Sequence, residues 1–311
     1  MCGHESIGDL AMSSGAGAHH LSRDAPTVTV GMPVYNAERW IGAAIESVLG
    51  QSLHDFELII SDNASTDATL AICQRYARAD ARIRVVANAQ NIGANRNYFA
   101  VMRAARGRYF KWASSNDLCA PTFLEKCVAA LERQPSAVLA APRTWLFEES
   151  TADARAYDRD FDLLQARPAA RFITLQSAIG LNNAFNGVIR RDALARVSPV
   201  GIFTGADIVL MSELALLGEW LLLEDRLFYR RMSNSTASTL KSTQDAERHI
   251  APIPLHWQRW RYQFALLRAT RLVRFLSRDW FQAMNYALRS FVWARNSLAG
   301  EALRELRLHA W

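Results

Sequence analysis

From residue 27 to residue 142 the chain alternates strand-like and helix-like segments without a break. Apolar, β-branched runs stand at 27–36, 56–62, 82–88, 108–113 and 137–142, and these read as strands. The segments between them carry apolar residues at helical spacing. In AERWIGAAIESVLGQS these are Ile41, Ile45, Val48 and Leu49, with Gly50 as the stop. In STDATLAICQRYARAD they are Leu70, Ile72, Cys73 and Tyr76, with Ser65 or Thr66 as the expected cap. A third helix, GANRNYFAVMRAARG, closes at Gly107, and Pro121 opens a fourth. Such alternation predicts an α/β fold, a single mainly parallel sheet flanked by helices on both faces.

In such sheets a ligand binds beyond the carboxyl ends of the strands. The residues delivered there are Tyr35, Asn36 and Glu38 after the first strand, Asp62 and Asn63 after the second, and Ser114 to Asp117 after the fourth. Three strands thus bring polar groups to one edge. After Arg143 the regularity breaks. DARAYDRDFDLLQARPAARF reads as a polar loop with short helices, NNAFNGVIRRDAL as a strand entering a helix, and TGADIVLMSELALLGEW as a helix ending near Gly218. LLLEDRLFYRRMSNSTAS reads as a strand region followed by a polar loop.

Composition excludes several classes. Half of the 311 residues are apolar, enough for a sizeable core. The phosphate fingerprint GxGxxG is absent, against an ordinary dinucleotide-binding enzyme. Cys2, Cys73, Cys119 and Cys127 form no CxxC pair and no zinc-ligand spacing. They are expected as reduced thiols of a cytosolic protein. No window approaches 18 apolar residues free of charge, so no membrane span is expected. Residues 1–26 read as a flexible leader. The net charge of +6 is unevenly placed. Residues 255–311 hold ten arginines, no lysine, three acids and five of the nine tryptophans, while elsewhere acids and bases nearly balance.

VTVGMPVYNAERWIGAAIESVLGQ, FELIISDNASTDAT, NIGANRN and GRYFKWASSNDLCAPTFLEK occur in this order and spacing. Together they resemble the family 2 inverting glycosyltransferases of the GT-A fold, strongly over 27–142 and more weakly to about 238. The resemblance implies a glycosyltransferase domain over 27–240, with a nucleotide-sugar-binding half at 27–145 and an acceptor or catalytic half at 146–240. A basic helical extension, 241–311, follows.

The resemblance also assigns roles. Asp62 would accept a hydrogen bond from the nucleotide base, uracil or thymine; its other reading is a capping acid in a turn. Pro33, Tyr35, Asn36 and Glu38 would line the nucleoside pocket, with Tyr35 stacking on ring faces. Glu38 reads equally as a first-turn acid favoured by the helix dipole. Asn91, Gly93 and Arg96 would lie near the nucleotide, though Arg96 also reads as a solvated helix residue. The family's metal loop usually carries two acids. Here Asn116 replaces one and would face the ribose, while Asp117 would be the single direct ligand of Mg²⁺ or Mn²⁺. The lost charge predicts weaker metal affinity. Asp207 would be the base that takes the acceptor proton, with Glu213 a lesser substitute and helix capping the other reading of Asp207. Arg230 or Arg231 would neutralise the diphosphate, since Met232 and Ser233 stand where the family often has a His.

The implied partners are a UDP- or dTDP-sugar donor and a glycan or lipid-linked acceptor. The alternative is a degenerate member that binds a sugar nucleotide or a protein without transfer. The tail suits either an anionic membrane surface or a helical subdomain packed on the body or on a second copy. No nucleic-acid motif accompanies its charge. The expected location is cytoplasmic, or peripheral on the inner face of the plasma membrane.

Overall fold

The computed structural model describes residues 25–199, 201–233 and 257–308. The expected leader falls almost wholly outside them. The first half follows the sequence reading closely: β1 (Val28–Val34), α1 (Ile41–Leu49), β2 (Phe56–Asp62), α2 (Thr69–Ala79), β3 (Ile83–Ala87), α3 (Ala94–Arg103) and β4 (Tyr109–Trp112). Every residue of β1, β2 and β4 is buried. That is why these runs are continuously apolar rather than alternating: helices cover both faces. β1 pairs in parallel with β2 and β4, and β2 with β3. Val34, Asp62 and Ala87 are thereby in register, which aligns the carboxyl ends.

The second half is mixed rather than mainly parallel. It comprises β5 (Leu118–Cys119), α4 (Phe123–Arg133), β6 (Ala137–Phe147), β7 (Arg155–Tyr157), α5 (Pro168–Ala178), β8 (Val188–Arg190), α6 (Arg191–Leu194), α7 (Ala206–Leu217) and β9 (Glu219–Arg231). The sheet order is β3-β2-β1-β4-β8-β6-β9-β5, with β7 on β6. β8 runs antiparallel to both β4 and β6. Its chain arrives from α5 through the 3-10 turn Asn183–Asn186. β6 extends past the expected stop at Pro142, because register shifts at Pro142–Thr144 absorb the proline and pairing with β9 continues to Phe147. α5 is longer than the short helices expected there, since Ala169, Phe172 and Leu175 find buried partners on α7 and the tail.

One core packs α1 and α4 against β1 and β2, with Ile41, Ile45, Phe123 and Leu131 on Val30, Met32 and Leu58. A second, on the other face, joins Val101, Phe110, Trp112, Leu210, Met211 and Leu214. Burying each such side chain contributes roughly 1.5–3 kcal/mol. The tail forms α8 (Gln258–Ala269) and α9 (Arg278–Leu308). A third core seats Ala265, Leu266, Ala269, Ala283 and Ala287 against Phe172, Ala206, Val209 and Leu216 of α5 and α7. The tail is thus a helical subdomain packed on the body. Among the described residues no helix is long and apolar enough to cross a membrane. Cys73, Cys119 and Cys127 are free thiols whose burial pushes their pKa up, that of Cys73 to about 12. A raised pKa disfavours the thiolate, the nucleophilic form.

Candidate active site

The loops after β1, β2 and β3 are latched to one another. Asn36 adopts a left-handed conformation (φ 46°). Its N–H donates to Ser65 Oγ at 3.0 Å, and its Oδ1 accepts from Thr66 N at 2.8 Å. Glu38 Oε2 accepts from Ala68 N at 2.9 Å, while Glu38 N donates to Asp67 Oδ2 at 3.1 Å. α2 therefore starts at Thr69, whose N–H is received by Asp67, and neither Ser65 nor Thr66 caps it. Those residues hold the first loop instead. Pro33 is buried within β1, opposite Ser61. Tyr35 stands 44% exposed at the strand end, a ring available to a ligand.

Asp62 is 1% exposed at the end of β2. Its Oδ2 accepts from Ser65 N at 3.0 Å, but its Oδ1 is buried with no hydrogen-bond partner. An orphaned buried acceptor costs about 1–3 kcal/mol, a cost that a ligand N–H would remove. Beside it runs a ladder of amides. Ser61 Oγ donates to Asn97 Oδ1, Asn97 Nδ2 to Ser61 O, and Asn88 Nδ2 to Asn97 and Asn63. Asn63 Nδ2 donates to Asn91 Oδ1, which also accepts from Gly93 N. Asn91 thus shapes the loop with its carbonyl oxygen. Gly93 (φ 85°) opens α3 from a conformation few other residues adopt. Arg96 lies exposed on α3, in keeping with its solvated reading.

The loop after β4 is built differently. Ser114 Oγ donates to Asn116 Oδ1 at 2.5 Å. Asp117 Oδ1 accepts from Arg231 N at 2.8 Å, and Asn116 O from Arg231 Nε at 3.0 Å. Arg231 is 4% exposed, lies 3.7 Å from the Trp40 ring centroid and 4.3 Å from that of Phe147, and donates to Glu148 O. Its guanidinium clamps the loop. Neighbouring strand residues face opposite ways. Arg230 donates instead to Leu181 O and Asn183 Oδ1, and its charge is felt at Asp117.

Burial pushes the Asp117 carboxyl above the usual range; the Arg231 N–H bond and the charges of Arg230, Lys111 and Arg231 only partly offset it. Lys111, 1% exposed, donates to Trp112 O and Asn186 O and sits 4.4 Å over the Phe123 ring. It thereby anchors the 183–186 turn beside the site. Among the described residues no three His, Cys, Asp or Glu gather into a metal cage. Asp117 is the one carboxylate on its loop. Mg²⁺ and Mn²⁺ bound to a diphosphate draw most ligands from phosphate and water and one or two from carboxylates. The residues present fit a cation held in that way.

Asp207 is the second residue of α7, behind Gly205 at φ 84°. Its Oδ2 accepts from Asn182 Nδ2 at 2.8 Å, and Oδ1 carries no hydrogen bond among the described residues. Burial, then the charge of Asp117, and in lesser part that of Asp207, push the Tyr98 hydroxyl up to about 12, against the opposing pull of Arg230. Tyr98 therefore lies within electrostatic reach of both acids and of Arg230. Glu213, the lesser candidate, is 1% exposed and accepts from both Ser198 N and Ser198 Oγ. Sequence reasoning missed Tyr98, Lys111 and Asn182. The only signal was the amide-rich NNAFN, a pattern as common in plain loops. Of the loop taken to close over the diphosphate, Met232 and Ser233 are described and the residues after them are not.

This arrangement, a parallel half-sheet with a donor-type edge followed by a mixed half carrying an acid on a helix start, is the GT-A fold. Staphylococcus aureus TarS residues 1–349, solved with UDP-GlcNAc, superposes with a TM-score of 0.61 at 14% identity, covering 87% of this chain and 74% of that one. The mannosyltransferase PcManGT from Pyrobaculum calidifontis, solved with GDP-Man and Mn²⁺, gives 0.50 at 16% identity, covering 92% and 81%. The family model Glycosyl transferase family 2 matches residues 29–197, more than half of the chain, which belongs to that family. The putative glycosyltransferase EpsE of Bacillus subtilis is 41% identical over 111 residues, 35% of this chain and 39% of EpsE. The putative teichuronic acid biosynthesis glycosyltransferase TuaG of the same organism is 41% identical over 101 residues, 32% and 40% respectively. The chain thus spans about two fifths of the length of these relatives.

Proposed function

We propose that this protein transfers a sugar, with inversion, from a UDP- or dTDP-sugar to a hydroxyl of a glycan or lipid-linked acceptor, at the cytoplasmic side of a membrane. The observation that carries the donor is the orphaned Oδ1 of Asp62. Its partner oxygen is already engaged by Ser65 N, so one acceptor is left for the base. Uracil and thymine present a single ring N–H between two carbonyls, which suits one acceptor; guanine presents two adjacent donors and cytosine no ring N–H there. The solved complexes of TarS with UDP-GlcNAc and of PcManGT with GDP-Man support a nucleotide-sugar donor.

On this reading residues 27–145 hold the donor and 146–240 serve the acceptor, with 241–311 as an extension; the last boundary lies outside the described residues. Tyr35 stacks on the base and Asn116 faces the ribose. Asp117 holds Mg²⁺ or Mn²⁺, and the ion, when bound, stabilises the departing diphosphate. Arg230, rather than Arg231, supplies the nearby protein cation. Asp207, oriented by Asn182, takes the acceptor proton through Oδ1.

The test is calorimetry of UDP, dTDP and GDP against the wild type and Asp62→Asn. UDP or dTDP should bind more tightly than GDP, and the substitution should weaken UDP by about tenfold, the worth of a lost charged hydrogen bond. Equal affinities for all three, unaffected by Asp62→Asn, would sink the assignment of the base.

A further inference from the structure

We propose that the outer face of α9, with the turn that leads into it, docks on an anionic phospholipid surface. This deepens the membrane-side part of the reading above by naming the face and the lipid chemistry. It does not depend on which donor binds.

The first observation is the sorting of charge. Between residues 257 and 303 the chain has two acids, Asp279 and Glu301. Both turn inward. Asp279 receives Ala169 N and pairs with Arg167, the residue before α5. Glu301 is 5% exposed and receives the first N–H groups of α8 from Arg259 and Trp260. By contrast Arg268, Arg274, Arg278, Arg289 and Arg295 are all exposed. Among the described residues the outer surface is therefore purely cationic. Its cations are all guanidiniums, which match phosphate oxygens in a paired geometry.

The second observation is the apolar stripe between these arginines. Phe281 (54% exposed), Leu288 (52%), Val292 (57%) and Leu303 (58%) recur at helical spacing on one side of α9. The inner side is filled by Ala283, Ala287 and Leu298. Ahead of the helix, Phe275 (68%) and Leu276 (60%) project from the turn between Arg274 and Arg278. Leu276 holds φ 58°, an uncommon conformation for a leucine. On the neighbouring helix, exposed Phe264 joins the stripe through Phe291, with ring centroids 5.6 Å apart.

A protein partner would need acids placed among these apolar groups one by one. A bilayer of anionic lipids offers phosphates at every arginine and acyl chain beneath every apolar residue. α9, 31 residues long, is a helix of about 46 Å, and its length suits lying along an interface. Arginine and large apolar residues on one side, with no exposed acid among residues 257–303, are the composition such helices use.

The test is flotation of the full chain with vesicles of phosphatidylcholine alone or mixed with phosphatidylglycerol. Binding is expected only to the mixed vesicles, falling as salt rises. Arg278→Gln with Arg289→Gln should weaken it about thirtyfold, from roughly one unit of surface attraction per arginine. Phe281→Ser, Leu288→Ser and Val292→Ser together should weaken it at least as much with the thermal midpoint unchanged. Equal binding to both vesicle types, or none to either, overturns the proposal. So does a loss of dimer mass in the variants with vesicle binding unchanged, which would assign the face to a second copy. A shift of an RNA oligonucleotide without vesicle binding also overturns it. UDP titration of the same samples separates the two readings, since UDP binding without vesicle binding strikes only the docking surface.

Discussion

The edge after β1 and β2 and the loop after β4, the proposed nucleoside and metal sites, are held by opposite means. The loops after β1 and β2 are tied by bonds between residues about thirty positions apart, such as Asn36 with Ser65 and Glu38 with Asp67. The loop after β4 is held by Arg231, 114 residues beyond Asp117. The first edge is complete once β1, β2 and β3 have formed. The second takes shape only when β9 closes the sheet. On the proposed reading, donor recognition would be a property of half the chain, whereas metal and acceptor chemistry would depend on all of it.

Asp207→Asn strikes the side that depends on the whole chain. It should lower kcat by about 10²–10⁴-fold, the range for a general base, with UDP affinity unchanged by calorimetry. Undiminished transfer would remove Asp207 from the reaction. Arg231→Met tests the clamp. It removes buried charged hydrogen bonds to Asn116 O and Glu148 O and should cost about 3 kcal/mol in urea unfolding. Metal-assisted UDP binding should suffer more than UDP binding without metal. Equal losses in both would break the contrast between the two edges.

Asn116→Asp restores the second acid and should tighten Mn²⁺, in the presence of UDP, by about tenfold at pH 8. The sign with pH follows from Asp117. Its folded pKa is raised by burial, so its proton competes with the cation at a higher pH than for an ordinary aspartate. Manganese affinity should therefore fall as pH drops through that raised value, and the wild type should show the same fall. A flat profile would place the metal elsewhere.

The smallest effect is expected from Glu57→Gln, at the opposite end of β2 from Asp62. Burial alone would raise the Glu57 carboxyl, but hydrogen bonds from Arg106 and Thr29 hold it below its usual range. A depressed carboxylate contributes stability above its unfolded pKa of about 4.3, lost as pH falls through the folded value. Because Arg106 is 66% exposed, solvent weakens the pair, and the change at pH 7 should be about 1 kcal/mol. Urea midpoints followed from pH 7 to pH 3 should flatten in the variant while UDP binding stays intact.

The sequence by itself determined the α/β half-sheet, because strands buried on both faces must be apolar throughout and their helices must carry a 3.6-residue stripe. It also determined that Asp62, Asp117 and Asp207 stand at element ends. Tertiary structure alone decided what those ends do. Pairing with β9 turned Arg231 into a clamp and left Arg230 beside the acids. The returning direction of β8 brought Asn182 to Asp207. Packing of α8 on α7 and of α9 on α5 and α8 turned two acids inward and left the arginines outside. None of these has a local signature, since each pairs residues whose separation along the chain carries no period, and only the closed sheet sets their distance.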